Sequence, residues 1–386
     1  MESVELVATC LFGLEKFLGE EIDALGYQRI ETIDGRVTFR GPISAIARSN
    51  LWLRFAERVL IKMGDFSAVS YEELFQGVRN LFWERWIGPD DAFPVKGHTI
   101  RSQLKSVSDC QSIVKKAIVE RLKSEYGSSW FSEEGTKMQI EFFLLNDRVT
   151  LLIDTSGAPL YKRGYRKETG EAPIRETLAA AMCRIARPRE DVLFWDPFCG
   201  SGTIPIEATL MMKNIAPGSF RHFLGEEFLD LPESIWIQAR EEARDLVKKT
   251  DFEAFASDLD PNMVSIAKIN AEAAGVEDRI RFFPKNALGI ETHGRKGTIV
   301  CNPPYGERLE SSEEAIRLYR AMGAHWKNLD SWQIYVITSH EQFQEHYGRR
   351  ADNIRKLYNG MLKCFYFQFY KPKQNRFSIE KRREKK

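Results

Sequence analysis

The sequence lacks most of the features that would place it quickly, and each absence excludes a class. None of its six cysteines (Cys10, Cys110, Cys183, Cys199, Cys301 and Cys364) forms a C-x-x-C pair. A zinc site is therefore not expected, and thiols in apolar runs read as reduced and buried. No apolar run approaches the roughly 18 residues of a membrane span. The opening "MESVELVATC" has neither a basic flank nor a long apolar core, so no signal peptide is read there. Charge of one sign is missing too: the net charge is +1, and contact with nucleic acid would need local patches. There is no G-K-[ST] P-loop, no G-x-G-x-x-G and no repeat. "HEQFQEH" (340–346) is neither zinc-protease motif. A reduced, cytoplasmic globular protein is what remains.

What is present is an ordinary globular mixture, 43% hydrophobic and 29% charged, over 386 residues. That length suggests two or three domains. Residues 1–64 read as strand, helix, hairpin, helix, strand, a ferredoxin-like order. The hairpin signal is Asp34-Gly35. Residues 65–155 read as a second α+β unit. One helix, in "SYEELFQGVRNLFWERW", should turn Leu74, Val78, Leu81 and Phe82 inward. Another runs through "SDCQSIVKKAIVERLKSEYG", and two strands flank Asn146-Asp147. Lys96, His98, Arg101, Lys105, Lys115 and Lys116 are either a solvated face or an RNA-facing patch. Residues 156–170, "SGAPLYKRGYRKETG", read as a basic linker. Its "RGYR" suits phosphate and base contact, or mere solvation.

From 171 to 386 the rhythm changes. "EAPIRETLAAAMCRIARP" reads as a helix with Pro173 in its first turn. The runs "VLFW", "EAFAS", "RIRFF", "TIVC" and "WQIYVITS" are short apolar strands separated by helices, the pattern of a parallel sheet covered on both faces. "RKLYNGMLKCFYFQFYK" is a hairpin, and the tail after it is strongly basic. A mostly parallel sheet that closes on an antiparallel hairpin is the layout of class I methyltransferases. An extra helical stretch interrupts this half between 213 and 250.

Three motifs carry the chemistry. In "VLFWDPFCGSGTIPIEA", Gly200 and Gly202 permit a tight turn, and Thr203–Met212 should be a helix whose N-terminus suits an anionic group. Asp196 stands at the strand's carboxyl end, where α/β sheets bind ligands. Asp258 ends the next strand, where an acid can take the two hydroxyls of a ribose, and Asp260 before Pro261 suits a helix cap. Asn286 follows the third strand and could meet an adenine edge. Asn302, Pro303, Pro304 and Tyr305 follow the fourth. Two prolines there end the strand in a rigid corner.

Together, "DPFCGSGT", "SDLD" and "NPPY" resemble the motifs of S-adenosylmethionine-dependent amino-methyltransferases. "APIRETLAAAM" and "NPPYGERL" resemble one branch, the THUMP-domain RNA methyltransferases related to the bacterial enzyme that makes N2-methylguanosine in 23S rRNA. Members are often labelled N6-adenine-specific DNA methylases. The resemblance covers essentially the whole chain. It implies a Rossmann-like domain with a seven-stranded, mostly parallel sheet, preceded by ferredoxin-like and THUMP domains. It further implies that Asp196, Phe198, Cys199, Gly200, Gly202 and Thr203 frame the methionine end of the cofactor. Asp258 would hold the ribose, and Asn286 with Ala287 the adenine. Asn302 and the Pro303 carbonyl would accept from an exocyclic amine, and Tyr305 would stack on the extruded base. The implied substrate is guanine N2 in structured RNA, with 23S rRNA first. A tRNA guanine, an N6-adenine in RNA or DNA, and non-catalytic RNA binding stand as alternatives. Oligomeric state is not legible.

Overall fold

The computed structural model describes residues 3–128, 131–168, 173–304, 312–329 and 331–371. The chain forms two compact units: Met1–Gly164 with Ile215–Val247, and Tyr165–Asn214 with Lys248–Lys386. The basic tail beyond 371 lies outside the described residues.

The first unit begins with β1 (Ser3–Cys10), α1 (Glu15–Ala24), β2 (Gln28–Ile33), β3 (Arg36–Pro42), α2 (Ala45–Trp52) and β4 (Ala56–Ser67). It continues through α3 (Tyr71–Arg79), β5 (Val95–Ile100), α4 (Val107–Tyr126), β6 (Ile140–Leu145) and β7 (Arg148–Asp154). The strands make one sheet in the order β2-β3-β1-β4-β7-β6-β5. The ferredoxin-like and THUMP elements thus share a sheet. The twelve-residue β4 joins them, pairing with β1 on one side and β7 on the other. Residue 64, the expected junction, falls inside it.

One local expectation fails here. Helix α3 stops at Arg79, so helical spacing does not carry through to Phe82. Phe82 is 67% exposed, and Trp83 is buried instead, donating through Nε1 to Val78 O at 2.8 Å. The basic set is also partly neutralised. Lys96 pairs with Glu141 at 2.9 Å, and Lys115 pairs with Glu133 while sitting over the Phe93 ring.

The second unit holds α5 (Glu176–Ala186), β8 (Leu193–Asp196) and α6 (Thr203–Met212). After these, α7 (Glu233–Asp245) belongs to the first unit. The second unit resumes with β9 (Ala254–Asp258), α8 (Pro261–Ala273), β10 (Ile280–Pro284), β11 (Gly297–Cys301), α9 (Ser312–Trp326), β12 (Trp332–Thr338), α10 (Phe343–Tyr347), β13 (Asn353–Asn359) and β14 (Leu362–Phe369). Strand order is β10-β9-β8-β11-β12-β14-β13, with β10 to β12 parallel and β14 antiparallel to both neighbours. This is the expected class I layout. Pro173 lies ahead of α5, whose first residue is Glu176, rather than in its first turn. On α9, Trp326 is buried and His325 faces solvent, outside the buried stripe.

The chain passes from one unit to the other at Gly164–Tyr165, inside the expected linker, and the interrupting segment and residues 156–164 are bonded into the first unit. Arg48 on α2 grips Glu242 on α7 with two bonds of 2.7 Å. Gly218 N–H donates to Leu51 O at 2.9 Å and Gly225 N–H to Thr155 O at 2.8 Å. Arg221 donates to four carbonyls of the 156–162 turn: Ser156 (3.1 Å), Ala158 (2.5 Å), Pro159 (2.6 Å) and Lys162 (3.0 Å). Burial pulls its guanidinium down to about 10, which still leaves it charged at neutral pH. Gly164 has φ +97°, and a Cβ there would meet Phe220 O at 2.1 Å. Arg163, expected to be solvated or on RNA, is 1% exposed and donates to Leu160 O and Arg54 O. Carbonyls that turn away from a ladder must find donors, and the half-buried Arg221 and buried Arg163 supply them.

Arg221→Ala should lower the unfolding free energy by about 2–4 kcal/mol, because it strands several carbonyls that a charged donor satisfies. Arg221→Lys should recover less than half, since an ammonium cannot reproduce the fork. Denaturant titration followed by tryptophan fluorescence checks both. Trp236 stacks on Phe223 at 5.5 Å beside the arginine and serves as a reporter.

Candidate active site

Strand β8 is four residues long and wholly buried. It lies between β9 and β11, where the strand order reverses. Ligands bind α/β sheets outside the carboxyl ends at such a point. The chain leaves β8 at Asp196 and folds back tightly. Cys199 N–H donates to Ser257 O at 3.0 Å, and Gly202 N–H to Cys199 O at 2.8 Å. Gly200 N–H donates to Asp258 Oδ2 at 2.9 Å, which ties the glycine turn to β9. Gly202 adopts φ +83°, and a Cβ there would sit 2.9 Å from that of Ala267. Only glycine can both take this conformation and let α8 approach α6 so closely.

A cavity of about 230 Å³ opens at this edge. Of the expected residues, Asp196, Phe198, Cys199, Gly200, Thr203 and Asn302 line it. The residue pattern missed Pro173, Ile174, Ser201, Ile204 and Met263, which complete the wall. It also missed Arg166, the brace of this wall. Arg166 donates to Glu176 Oε1 (2.9 Å), Ile174 O (3.0 Å) and Thr203 Oγ1 (3.0 Å). Glu176 is 4% exposed and forms the ion pair with Arg166. In a basic, glycine-containing stretch, nothing local distinguishes such an arginine from its solvated neighbours.

Two polar groups in this wall stand out. Asp196 is 1% exposed; its Oδ1 accepts from Phe198 N–H at 3.1 Å, and its Oδ2 has no partner among the described residues. Burial holds its carboxyl well above the ordinary 3.8, and nearby Asp258 pushes in the same direction. Asn302 follows β11, is 7% exposed, and its Oδ1 likewise has no partner among the described residues. An unsatisfied buried acceptor costs roughly 1–3 kcal/mol. Two on neighbouring strand ends mark a place where donors are meant to arrive.

The remaining expected residues are placed as follows. Asp258 is half-buried, accepting from Gly200 N–H and, through Oδ1, from Asp260 N–H at 3.1 Å. Each of its oxygens keeps a second acceptor site. Asp260 caps α8, accepting from Asn262 N–H at 2.8 Å. Asn286 is exposed and its Oδ1 caps the turn at Leu288 N–H (2.9 Å), which leaves its amide NH2 for a ligand. Ala287 is buried and its carbonyl accepts from Trp326 Nε1 at 2.9 Å. Pro303 is buried and Pro304 half-buried, while Tyr305, Glu307 and Arg308 lie outside the described residues. Burial raises the thiols of Cys199 and Cys301 well above the ordinary range, so neither is a thiolate nucleophile at neutral pH. The six cysteines are reduced thiols and buried. Among the described residues no helix is long and apolar enough to cross a membrane, and no cluster could hold a metal ion.

Residues 163–368 match the RMKL-like methyltransferase domain. The chain belongs to the RMKL-like methyltransferase family. Residues 5–60 match the ferredoxin-like domain of RlmL, and residues 68–154 match the THUMP domain. The chain is similar to a Bacillus subtilis protein named "Putative RNA methyltransferase YpsC", with 43% identity over 96% of this chain and 97% of that one. It is 32% identical to the ribosomal RNA large subunit methyltransferase K/L of Psychromonas ingrahamii, covering 91% of this chain and 48% of that one. The chain thus spans about half the length of its K/L relatives. Among solved structures it is similar to SMU.472, determined in complex with SAH, with TM-score 0.89 and 39% identity over 97% of this chain and all of that one.

For this RMKL-like methyltransferase the raised Asp196 carboxyl has a signed consequence. Ionising it costs more in the folded state than in the unfolded state, so it subtracts stability as pH rises above 3.8. Asp196→Asn should therefore unfold at a higher temperature than the parent at pH 7 in the absence of ligand. The advantage should vanish below about pH 3.5, where the carboxyl is protonated in both states. Thermal melts across pH decide this.

Proposed function

We propose that this protein transfers a methyl group from S-adenosylmethionine to the exocyclic N2 amine of a guanine in structured RNA, with 23S rRNA as the substrate. The observation that carries this reading is a pair of buried acceptors, Asp196 Oδ2 and Asn302 Oδ1, that have no donor among the described residues and belong to two residues lining one cavity. Each suits an amine. The cofactor's α-ammonium complements Asp196, and a planar base amine complements Asn302. The glycine turn and the N-terminus of α6 suit the cofactor's carboxylate, and Asp258 suits its ribose hydroxyls.

The cofactor supplies an electrophilic methyl on a sulfonium. The protein's part is positioning. Asn302 Oδ1 and the Pro303 carbonyl accept the two amine hydrogens, which leaves the nitrogen lone pair directed at its target. The proline corner fixes both acceptors. The buried, protonated thiols at 199 and 301 take no covalent part. The THUMP-containing unit supports RNA as the polymer, as do the names of the K/L relatives. The choice of guanine rests on the motif resemblance alone. A tRNA guanine or an N6-adenine offers the same planar amine to the same clamp. A purely RNA-binding role would give Asn302 no reason to remain unsatisfied.

Mass spectrometry of rRNA and tRNA nucleosides from cells with and without the protein tests the reading. N2-methylguanosine missing from 23S rRNA is the expected loss; loss of N6-methyladenosine, or of a tRNA nucleoside alone, replaces it with an alternative. With purified protein, Asn302→Ala should reduce transfer at least a hundredfold while SAH affinity by calorimetry stays within a few-fold. Undiminished transfer would remove Asn302 from the clamp.

A further inference from the structure

Strands β13 and β14 are joined by a two-residue turn, Gly360-Met361, because Asn359 pairs with Leu362. Gly360 has φ +64° and Met361 is not in the left-handed region. That is the type II′ geometry that suits right-twisted hairpins. Met361 is 100% exposed and the adjoining Leu362 is 47% exposed. A single exposed apolar residue needs no explanation. This one is distinguished by where the fold carries it and by how firmly it is held.

Pairing registers locate the turn. Cys301, the last residue of β11, is level with Val336 of β12, and Val336 is level with Phe367 of β14. Leu362 precedes Phe367 by five residues and β14 runs antiparallel. The turn therefore projects about 17 Å beyond the level of Cys301, on the same sheet edge where Asn302 opens into the cavity. Strand β14 is two positions from β11, so the projection stands about 10 Å to the side. The turn is also tied toward the cavity wall. Arg175 N–H donates to Asn359 Oδ1 at 3.4 Å, and the Arg175 guanidinium packs over Gly360. Arg175 directly follows Ile174, which lines the cavity.

The base of the hairpin is rigid. Residues Cys364–Phe369 are buried, and Lys363 pairs with Glu341 at 2.8 Å while lying over the Phe365 ring at 4.9 Å. Lys356 is exposed on the neighbouring strand, which adds positive charge for a phosphate backbone. An unbranched apolar side chain is thus presented at the end of a braced arm, beside a deep amine clamp.

We propose that Met361 is a wedge that enters the base stack of the RNA when the acceptor nucleotide is extruded, filling the vacated space. The inference rests on the base-methylating reading above. Asn302 lies well below the tip, so a base still stacked in a helix resting on the hairpin cannot reach it. The nucleotide has to leave the stack, which costs a few kcal/mol. Apolar side chains, methionine among them, offset that cost in other nucleic-acid complexes by inserting between base steps. Being wholly in water before binding, Met361 gains burial only in the extruded complex.

A wedge acts after docking, so its loss should appear in kcat rather than KM. The test uses the full chain and deproteinised 23S rRNA from cells lacking the protein. Met361→Ala should lower kcat for methyl transfer tenfold or more with KM within about threefold, Met361→Asp should lower it further, and Met361→Leu should restore most of it. SAH affinity and melting temperature should not move, because the side chain is wholly in solvent in the free protein. An alanine variant with kcat within twofold of the parent overturns the wedge, as does a loss confined to KM. If the parent methylates neither rRNA nor tRNA, the RNA-methylating reading fails, and the wedge with it.

Discussion

The parallel pairing of β8 with β11 is the constraint on which the site depends. It brings two chain exits, Asp196 and Asn302, to adjacent points on one sheet edge although more than a hundred residues separate them in sequence. Both strands are fully buried, so neither exit can be displaced without disrupting core that includes Trp195, Ile299 and Trp332. The glycine turn, the proline corner and the Arg166 brace then limit what each exit can do next. Among the described residues these two buried acceptors have no donor, and the surrounding packing leaves them no retreat. Local instability of this kind is expected where a ligand supplies the missing partners.

Three arginines of the first unit, the half-buried Arg221 and the buried Arg163 and Arg54, obey the opposite logic. Each donates to backbone carbonyls that the local backbone does not satisfy. The site keeps acceptors open, whereas the connecting turn closes them.

Much of the catalytic half was legible because its signals are local. The left-handed Gly202 sets the start of α6 at Thr203, Asp260 with Pro261 sets the start of α8, and two prolines after Cys301 end β11. Each is a short-range rule that tertiary contacts reinforce. Elsewhere local rules ran out. Strand β5 escaped notice because Val95–Ile100 reads V-K-G-H-T-I, with lysine, glycine and histidine in a row, and Lys96, His98 and Ile100 lie on its exposed face. Phe82 was misplaced by extending a helical period past the helix's end. The 156–170 stretch read as a linker because its partners lie far along the chain. Arg221 is about sixty residues from the carbonyls it binds, and Arg48 is 194 residues from Glu242. One sequence holds no trace of such pairings.

The segment Ile215–Val247 belongs to the first unit although the second has already begun when the ribosome reaches it. Its donors close the turn at 156–162, and α7 covers α2. The amino-terminal unit therefore cannot complete its packing on emergence, as a contiguous domain would. It must wait through the synthesis of α5, β8 and α6 for its last helix. Domains usually fold in order as they leave the ribosome; here the first to start is obliged to finish late. A gene fragment ending near residue 164 would not encode a finished module, which ties the RNA-binding half to the catalytic half through inheritance as well as through chemistry.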